Sequence, residues 1–376
     1  MRLSNFKFKL PEELIAQYPV SHYRDEQDNI VVKKVGIDVD RDECRLMVLH
    51  AKSNRIEHKI FKELTEYFSE EDLFVFNDTQ VFPAKMHGIK DKTDAKIEVF
   101  LLRELNQQNK LWDVLVEPAR KIRVGNKLYF GPDNSMVAEV IDNTTSRGRT
   151  VRFLYEGDHE TFKKDLFALG TTPLPPHIKR APEEKNDDLY IGDAERFQTI
   201  YAANEGAVVA PAAGCNFEPR LLKCLEIIGV KFGYVTLHAS LGMFHEIDVE
   251  DLWKHKSYSE QMIVNQTVSD IFNEASTKEK RICSVGTTTL RALETASTAN
   301  GMIKPFEGWT NKFIFPQYNF TTANCLLSNF QLPLSTMLMS QAAFGGYEKV
   351  MDAYKVAIKE NYRFGFYGDS ILILND

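Results

Sequence analysis

The chain has no apolar run approaching the roughly 18 residues that a membrane-spanning helix requires. Its polar start, Met1-Arg2-Leu3-Ser4-Asn5, leads into no export-type hydrophobic segment. A cytoplasmic protein with no membrane partner is the expectation. Cysteine is scarce: Cys44, Cys215, Cys224, Cys283 and Cys325 are scattered, odd in number and without a C-x-x-C spacing. That disfavours a disulfide framework or a zinc ribbon and makes most of them small interior hydrophobes. Also missing are a P-loop, an H-E-x-x-H pair and a G-x-G-x-x-G nucleotide fingerprint. The nine histidines are dispersed, so no metal mechanism is supported. Positive charge is not in excess either: 46 Lys and Arg against 53 Asp and Glu leave a net −7. Such a chain does not coat nucleic acid by bulk charge, although a local basic patch stays open.

What is present is an ordinary globular composition, 376 residues with 43% hydrophobic and 26% charged side chains. That length predicts two or three domains. Pro11 with Glu12 and Glu13 predicts a short helix from Leu10 to Ala16, stopped by Pro19. Arg45–His50 and Ile56–Ile60, joined across Asn54, read as a hairpin, and Phe61–Phe68 as a helix. Asp72–Phe76 reads as a buried strand that ends on the polar trio Asn77-Asp78-Thr79. From there to about Tyr155, short alternating strands separated by Gly125, Gly131-Pro132, Asp142-Asn143 and Gly148 predict an inserted small barrel or sandwich. Beyond Asp165, apolar strands, among them Phe313–Phe315, alternate with helical periodicities, which predicts α/β layers.

In such layers ligands collect at the carboxyl ends of strands. Three strand-to-helix loops therefore stand out. Val208–Phe217 is rich in tiny residues, and it is either a ligand approach or only a tight turn. Ser284–Glu294 opens a helix with Gly286, Thr287, Thr288 and Thr289, a candidate anion site or a simple cap. Leu327–Thr336 leads polar donors into an apolar helix, with N-capping by Ser335 as the plain alternative. Two basic stretches, Arg120-Lys121-Ile122-Arg123 and Lys179-Arg180, are either solvated surface or phosphate contacts that position an RNA.

Leu10–Pro19, Phe76-Asn77-Asp78-Thr79 with Pro83-Ala84, Pro173-Leu174-Pro175-Pro176 with Ile178-Lys179-Arg180, Gln198–Ala202, Thr236-Leu237-His238, Val285–Glu294, Leu332-Pro333 with Ser335-Thr336, and Arg363–Asp369 occur in this order. Together they resemble the S-adenosylmethionine:tRNA ribosyltransferase-isomerase family of the queuosine pathway, over nearly the whole chain. The resemblance implies a mixed α/β main domain, discontinuous in sequence (1–76 and 156–376), with an inserted antiparallel β-barrel domain (77–155). It implies transfer of the ribosyl part of S-adenosylmethionine to a 7-aminomethyl-7-deazaguanine at the tRNA wobble position. Adenine and methionine leave, and epoxyqueuosine-tRNA results. S-adenosylmethionine is then a cosubstrate, with no cofactor or metal required, and the tRNA anticodon loop is the partner of a monomer. The sulfonium acidifies its C5′ hydrogens, so a placed base, donors for adenine and an anion site for the methionine carboxylate are needed.

On the matching positions the resemblance makes Asp78, His238 and Glu260 the catalytic candidates. Asn216, Phe217, Thr287, Thr288, Arg291, Gln331 and Asp369 become substrate-binding candidates, and Arg120, Lys121, Arg123, Lys179 and Arg180 tRNA contacts. The chain also departs from the family pattern. Ala212 and Cys215-Asn216 stand for a Thr and a Leu-His pair, Ser257-Tyr258 for Met-His, and Gln331 for a further His. Gln80, Ser240 and Met243 replace Arg, Gly and Thr. Three imidazoles are thus replaced by side chains that cannot take a proton near neutral pH. That raises two alternatives to the family reaction, a divergent paralogue with different chemistry on S-adenosylmethionine or a related nucleoside and a catalytically silent tRNA-binding protein.

Overall fold

The structure is a computed structural model that describes residues 1–180, 187–240, 242 and 247–375. Met243 lies outside the described residues. The chain divides into two compact units, the first comprising Met1–Gln80, Pro175–Glu205 and Val209–Asp376 and the second Val81–Leu174 with Gly206–Val208.

The second unit is built on a closed six-stranded antiparallel barrel, in the order Lys127–Phe130, Met136–Asn143, Gly148–Phe153, Leu111–Glu117, Lys96–Asn106 and Lys85–Lys90. Alternation does the work: Ile97, Val99 and Leu101 point inward along one strand while Glu98 and Phe100 stay partly exposed. The strand Lys85–Lys90 is not legible in the sequence because its pattern is broken by His87 and Gly88. A Cβ at Gly88 would lie 2.3 Å from the Tyr129 carbonyl oxygen, so glycine is required where two strands crowd. Residues 156–174 also belong here, in contrast to the boundary at Tyr155 expected from the sequence. Phe162 of the helix His159–Leu169 is fully buried and meets Phe153 of the barrel at 5.4 Å between centroids.

The first unit carries a nine-stranded mixed sheet among its described residues. Its order is Phe306–Thr310, Glu260–Val264, Lys231–Leu237, Leu73–Asn77, Ile282–Val285, Cys325–Asn329, Ser370–Leu374, Arg45–His50 and Arg55–Ile60. The four strands Lys231–Leu237, Leu73–Asn77, Ile282–Val285 and Cys325–Asn329 run parallel. Their burial on both faces explains the continuous apolar reading of Leu73-Phe74-Val75-Phe76. One face packs on a cluster in which Phe217 meets Phe61, Phe74 and Phe76 edge-on at 5.2, 6.1 and 5.1 Å. Burying each such ring contributes about 2–3 kcal/mol.

The helices begin and end where their residues demand. Pro219 opens Pro219–Ile228, and Gly229 at φ 96° closes it in the left-handed region. Asn265 and Ser335 each accept a backbone N–H three residues on, at 2.9 and 3.3 Å, so the capping reading of Ser335 is correct. Four of the cysteines are buried, and none of the five is in a disulfide.

Two local expectations fail. Leu10–Ala16 forms only a 3-10 turn at Glu12–Leu14, because Ile15 and Ala16 instead join the backbone of Phe364. For the charged segment after Asp25 the sequence sets no expectation; it holds a strand, Ile30–Val35, paired with Val20–Arg24. Phe313–Phe315 is a loop ended by Pro316, and the edge strand is Phe306–Thr310.

Candidate active site

The parallel strands all end at one edge of the sheet, where a strand carboxyl end leaves polar groups without ladder partners. Glu260 arrives at the same edge because its strand runs antiparallel to Lys231–Leu237. A cavity of about 510 Å³ opens there, wholly within the first unit. Glu260, Thr287, Thr288, Arg291 and Gln331 line it, so five of the residues singled out in the sequence converge.

Glu260 is only 5% exposed. Arg291 Nη1 donates to its Oε2 at 2.7 Å, and the Ser240 backbone N–H donates to Oε1 at 2.7 Å. Arg291 also donates from Nε to the Lys312 carbonyl at 3.1 Å, while its Nη2 has no partner among the described residues. Arg291 sits one turn into the helix Thr287–Ala296, whose first residues follow Gly286 at φ 91°. A Cβ at Gly286 would meet only Thr288 Oγ1, at 3.7 Å, so backbone conformation rather than space dictates glycine. The helix start therefore turns free N–H groups and two hydroxyls into the cavity beside a guanidinium, an arrangement suited to a carboxylate.

Asp78 and His238 do not line the cavity; they sit behind it. Asp78 accepts from Thr236 Oγ1 at 2.6 Å and Asn204 Nδ2 at 3.0 Å. His238 Nδ1 pairs with Thr79 Oγ1 at 2.8 Å, and burial holds its imidazole below the ordinary range against the raising effect of Asp78. Between them Asn77, fully buried, accepts the Leu237 and Thr79 N–H groups and donates to Thr288 Oγ1 at 3.3 Å. The polar trio at the strand end is thus a brace that fixes the cavity's helix.

Gln331 is held by a buried network. Its Nε2 donates to the Asn329 carbonyl at 3.0 Å, and its N–H donates to Tyr354 Oη, which in turn donates to Gln341 Oε1 at 2.6 Å. Asn216 donates to Ser370 Oγ at 2.9 Å and does not line the cavity. Two substrate-binding expectations are corrected outright. Phe217 belongs to the hydrophobic core. Asp369 is buried among backbone donors, accepting the N–H groups of Arg45 and Arg363 at 2.8 and 2.7 Å, and burial pushes its carboxyl up.

Of the basic residues, Arg120, Lys121 and Arg123 are exposed on the second unit, around a 3-10 turn at Ala119–Lys121. Arg149, buried beneath, donates to the carbonyls of Ala119 at 2.7 Å and Ile122 at 2.9 and 3.0 Å. Lys179 is exposed and reaches Glu12 at 3.4 Å. Arg180 is a correction: its fork grips Asp193 at 2.8 and 2.7 Å, and it lies over the Tyr18 ring at 4.3 Å, an interior clamp rather than a free cation.

Two titratable cavity residues were not picked out in the sequence. His177 lines it, and burial lowers its imidazole to about 4. Its Nε2 accepts the Phe366 N–H at 3.3 Å, and a Cβ at Gly365 would sit 2.8 Å from that nitrogen. The rigid Pro173–Pro176 run before it was the available signal. Lys312 is the other, steadied by Tyr318 at 3.2 Å, whose hydroxyl donates to the buried Glu294 at 3.0 Å. Among the described residues no group of three or more His, Cys, Asp or Glu is arranged to hold a metal ion, and no helix is long and apolar enough to cross a membrane.

A family model described as queuosine biosynthesis protein matches residues 3–373. The chain is 59% identical over 375 residues, all of both chains, to the S-adenosylmethionine:tRNA ribosyltransferase-isomerase of Bacteroides fragilis. The protein so named from Chloroherpeton thalassium is 47% identical, over 99% of this chain and all of the other. A crystal structure of S-adenosylmethionine tRNA ribosyltransferase from Thermotoga maritima aligns with a TM-score of 0.51 at 31% identity, covering 99% of this chain and 100% of that one. Likeness at this level over full length does not favour either alternative raised by the replaced imidazoles.

Proposed function

The chain belongs to the queuosine biosynthesis protein family, and from that premise we infer that it is an enzyme moving and isomerising the ribosyl group of S-adenosylmethionine. The acceptor is the 7-aminomethyl-7-deazaguanine base of tRNA, the product is epoxyqueuosine-tRNA, and adenine and methionine are released. It acts in the cytoplasm, as a monomer, on the anticodon loop. The observation that carries this reading is the cavity that sets the start of Thr287–Ala296 beside the Glu260–Arg291 pair.

The methionine carboxylate belongs at the N–H groups and hydroxyls of Thr287 and Thr288, where the helix dipole and the neighbouring Arg291 guanidinium favour negative charge. The sulfonium then lies toward Glu260, the only carboxylate among the described residues lining the cavity. A carboxylate there stabilises the cation and accepts a C5′ proton, and Arg291 with the Ser240 N–H holds it in place for both tasks. Departing adenine requires a proton and hydrogen-bond donors. His177, whose Nε2 is occupied by the Phe366 N–H, presents Nδ1 as such a donor. Asp78 and His238 act as positioning groups through Thr236 and Thr79.

The test is adenine release from S-adenosylmethionine with and without precursor-bearing tRNA. Release only with the tRNA supports the reading. Release without it supports a different transfer, and none in either case removes the assignment.

A further inference from the structure

Beside the cavity, the six residues Trp253-Lys254-His255-Lys256-Ser257-Tyr258 run toward Glu260. Trp253 is 67% exposed and Tyr258 41%, and Lys254 and Lys256 are exposed as well. A second segment backs them with rings. Trp253 meets Phe315 edge-on at 4.8 Å, Phe315 stacks on Phe313 at 5.0 Å, and His255 meets Phe313 edge-on at 4.8 Å. Phe313 lines the cavity together with Ser257 and Lys312. Aromatic surface therefore runs without a break from solvent at Trp253 to the cavity wall.

Core packing does not explain this exposure. The turn Leu252–Lys254 is anchored by buried Leu252 and by Asp251, whose carboxylate accepts the Trp253 N–H at 3.2 Å, so the indole is held out on fixed backbone. Rings interleaved with lysines suit a single-stranded nucleic acid: bases stack on the rings whatever their identity, and the lysines meet phosphates. Acidic neighbours exist, Asp248 acting on His255 and Tyr258, so the attraction is confined to the lysine tips.

We propose that Trp253–Tyr258 is the stacking platform for the unpaired nucleotides that flank the modified base in the RNA substrate. Trp253 carries a base, and Lys254 and Lys256 carry its phosphates. The inference rests on the tRNA reading above and deepens it, since a base that enters the cavity must leave its stack and its neighbours need a surface.

The experiment measures two things on the full chain: affinity for a labelled RNA hairpin with a seven-nucleotide loop, and steady-state kinetics with precursor-bearing tRNA. Trp253→Ala weakens hairpin binding and raises the tRNA KM about tenfold, with the S-adenosylmethionine KM unchanged and the fold intact by circular dichroism. Trp253→Phe recovers most of the loss. Lys254→Ala with Lys256→Ala lowers the salt dependence of binding. If the wild type is active and Trp253→Ala binds and turns over tRNA normally, the platform is overturned while the reaction stands. If the wild type has no transferase activity, the hairpin affinity alone decides: a loss in Trp253→Ala supports the platform and no loss overturns it. A change of oligomeric state in Trp253→Ala, with RNA affinity intact, assigns the rings to a contact between copies and also overturns it.

Discussion

Arg291 Nη1 donates to Glu260 Oε2 at 2.7 Å, within a cavity wall where Glu260 is 5% exposed. The pair joins the helix Thr287–Ala296 to the strand Glu260–Val264, so it is structural as well as chemical. Removing one partner strands the other. Arg291→Ala leaves a buried carboxylate with only the Ser240 groups, and its expected cost is about 3 kcal/mol of unfolding free energy. Glu260→Gln combined with Arg291→Met recovers most of it in chemical denaturation. Equal losses in the single and double variants contradict the account.

Glu260→Gln keeps the shape but not the proton acceptor, and kcat is expected to fall by about 10²–10⁴ with little change in the tRNA KM. Asp78→Asn perturbs only the brace with Thr236 and Asn204 and lowers kcat by less than about tenfold. The reverse ranking moves the proton acceptor to Asp78.

Burial holds His177 at about 4, below the unperturbed 6.5. The unfolded chain therefore binds the proton more readily, and stability is full above pH 6.5 and declines as pH falls through 4. The decline attributable to His177 reaches about 3 kcal/mol. Unfolding of His177→Gln at pH 7.5 and pH 4.5 should show a shallower acid loss than the wild type. His22, His58, His238 and His255, also lowered by burial, add to the acid loss in both proteins.

Much of this site was legible because strand ends and helix starts declare themselves. Leu73-Phe74-Val75-Phe76 followed by Asn77-Asp78, and Val285 followed by Gly286-Thr287-Thr288, are punctuation that survives in any context. What failed to be legible was side-chain direction. Phe217 and Asp369 lie in conspicuous loops yet turn inward, because one completes an aromatic cluster and the other ties together two backbone N–H groups distant in sequence. Arg180 likewise reads as a surface cation until Asp193 is placed against it. The platform residues sit in a stretch whose alternating rings and lysines carry no periodicity, so only the structure joins Trp253 to Phe313.

The two basic stretches should separate in one experiment. Arg120→Ala, Lys121→Ala and Arg123→Ala together lower the salt slope of tRNA binding by up to about one per removed charge, with thermal stability nearly unchanged. Arg149→Met frees the carbonyls of Ala119 and Ile122 and lowers both stability and tRNA affinity. Arg180→Ala leaves Asp193 unpaired in the interior and lowers stability alone. A loss of salt slope in Arg180→Ala, measured at a temperature where the variant is still folded, reverses its reassignment.

The most direct test of the central claim is calorimetric titration of S-adenosylmethionine into the wild type and Thr287→Val. The account predicts one site per chain in the wild type and binding weaker by roughly tenfold in the variant, as a hydrogen bond to a charged carboxylate is lost. Equal affinity in the two proteins, or no binding by the wild type, contradicts it.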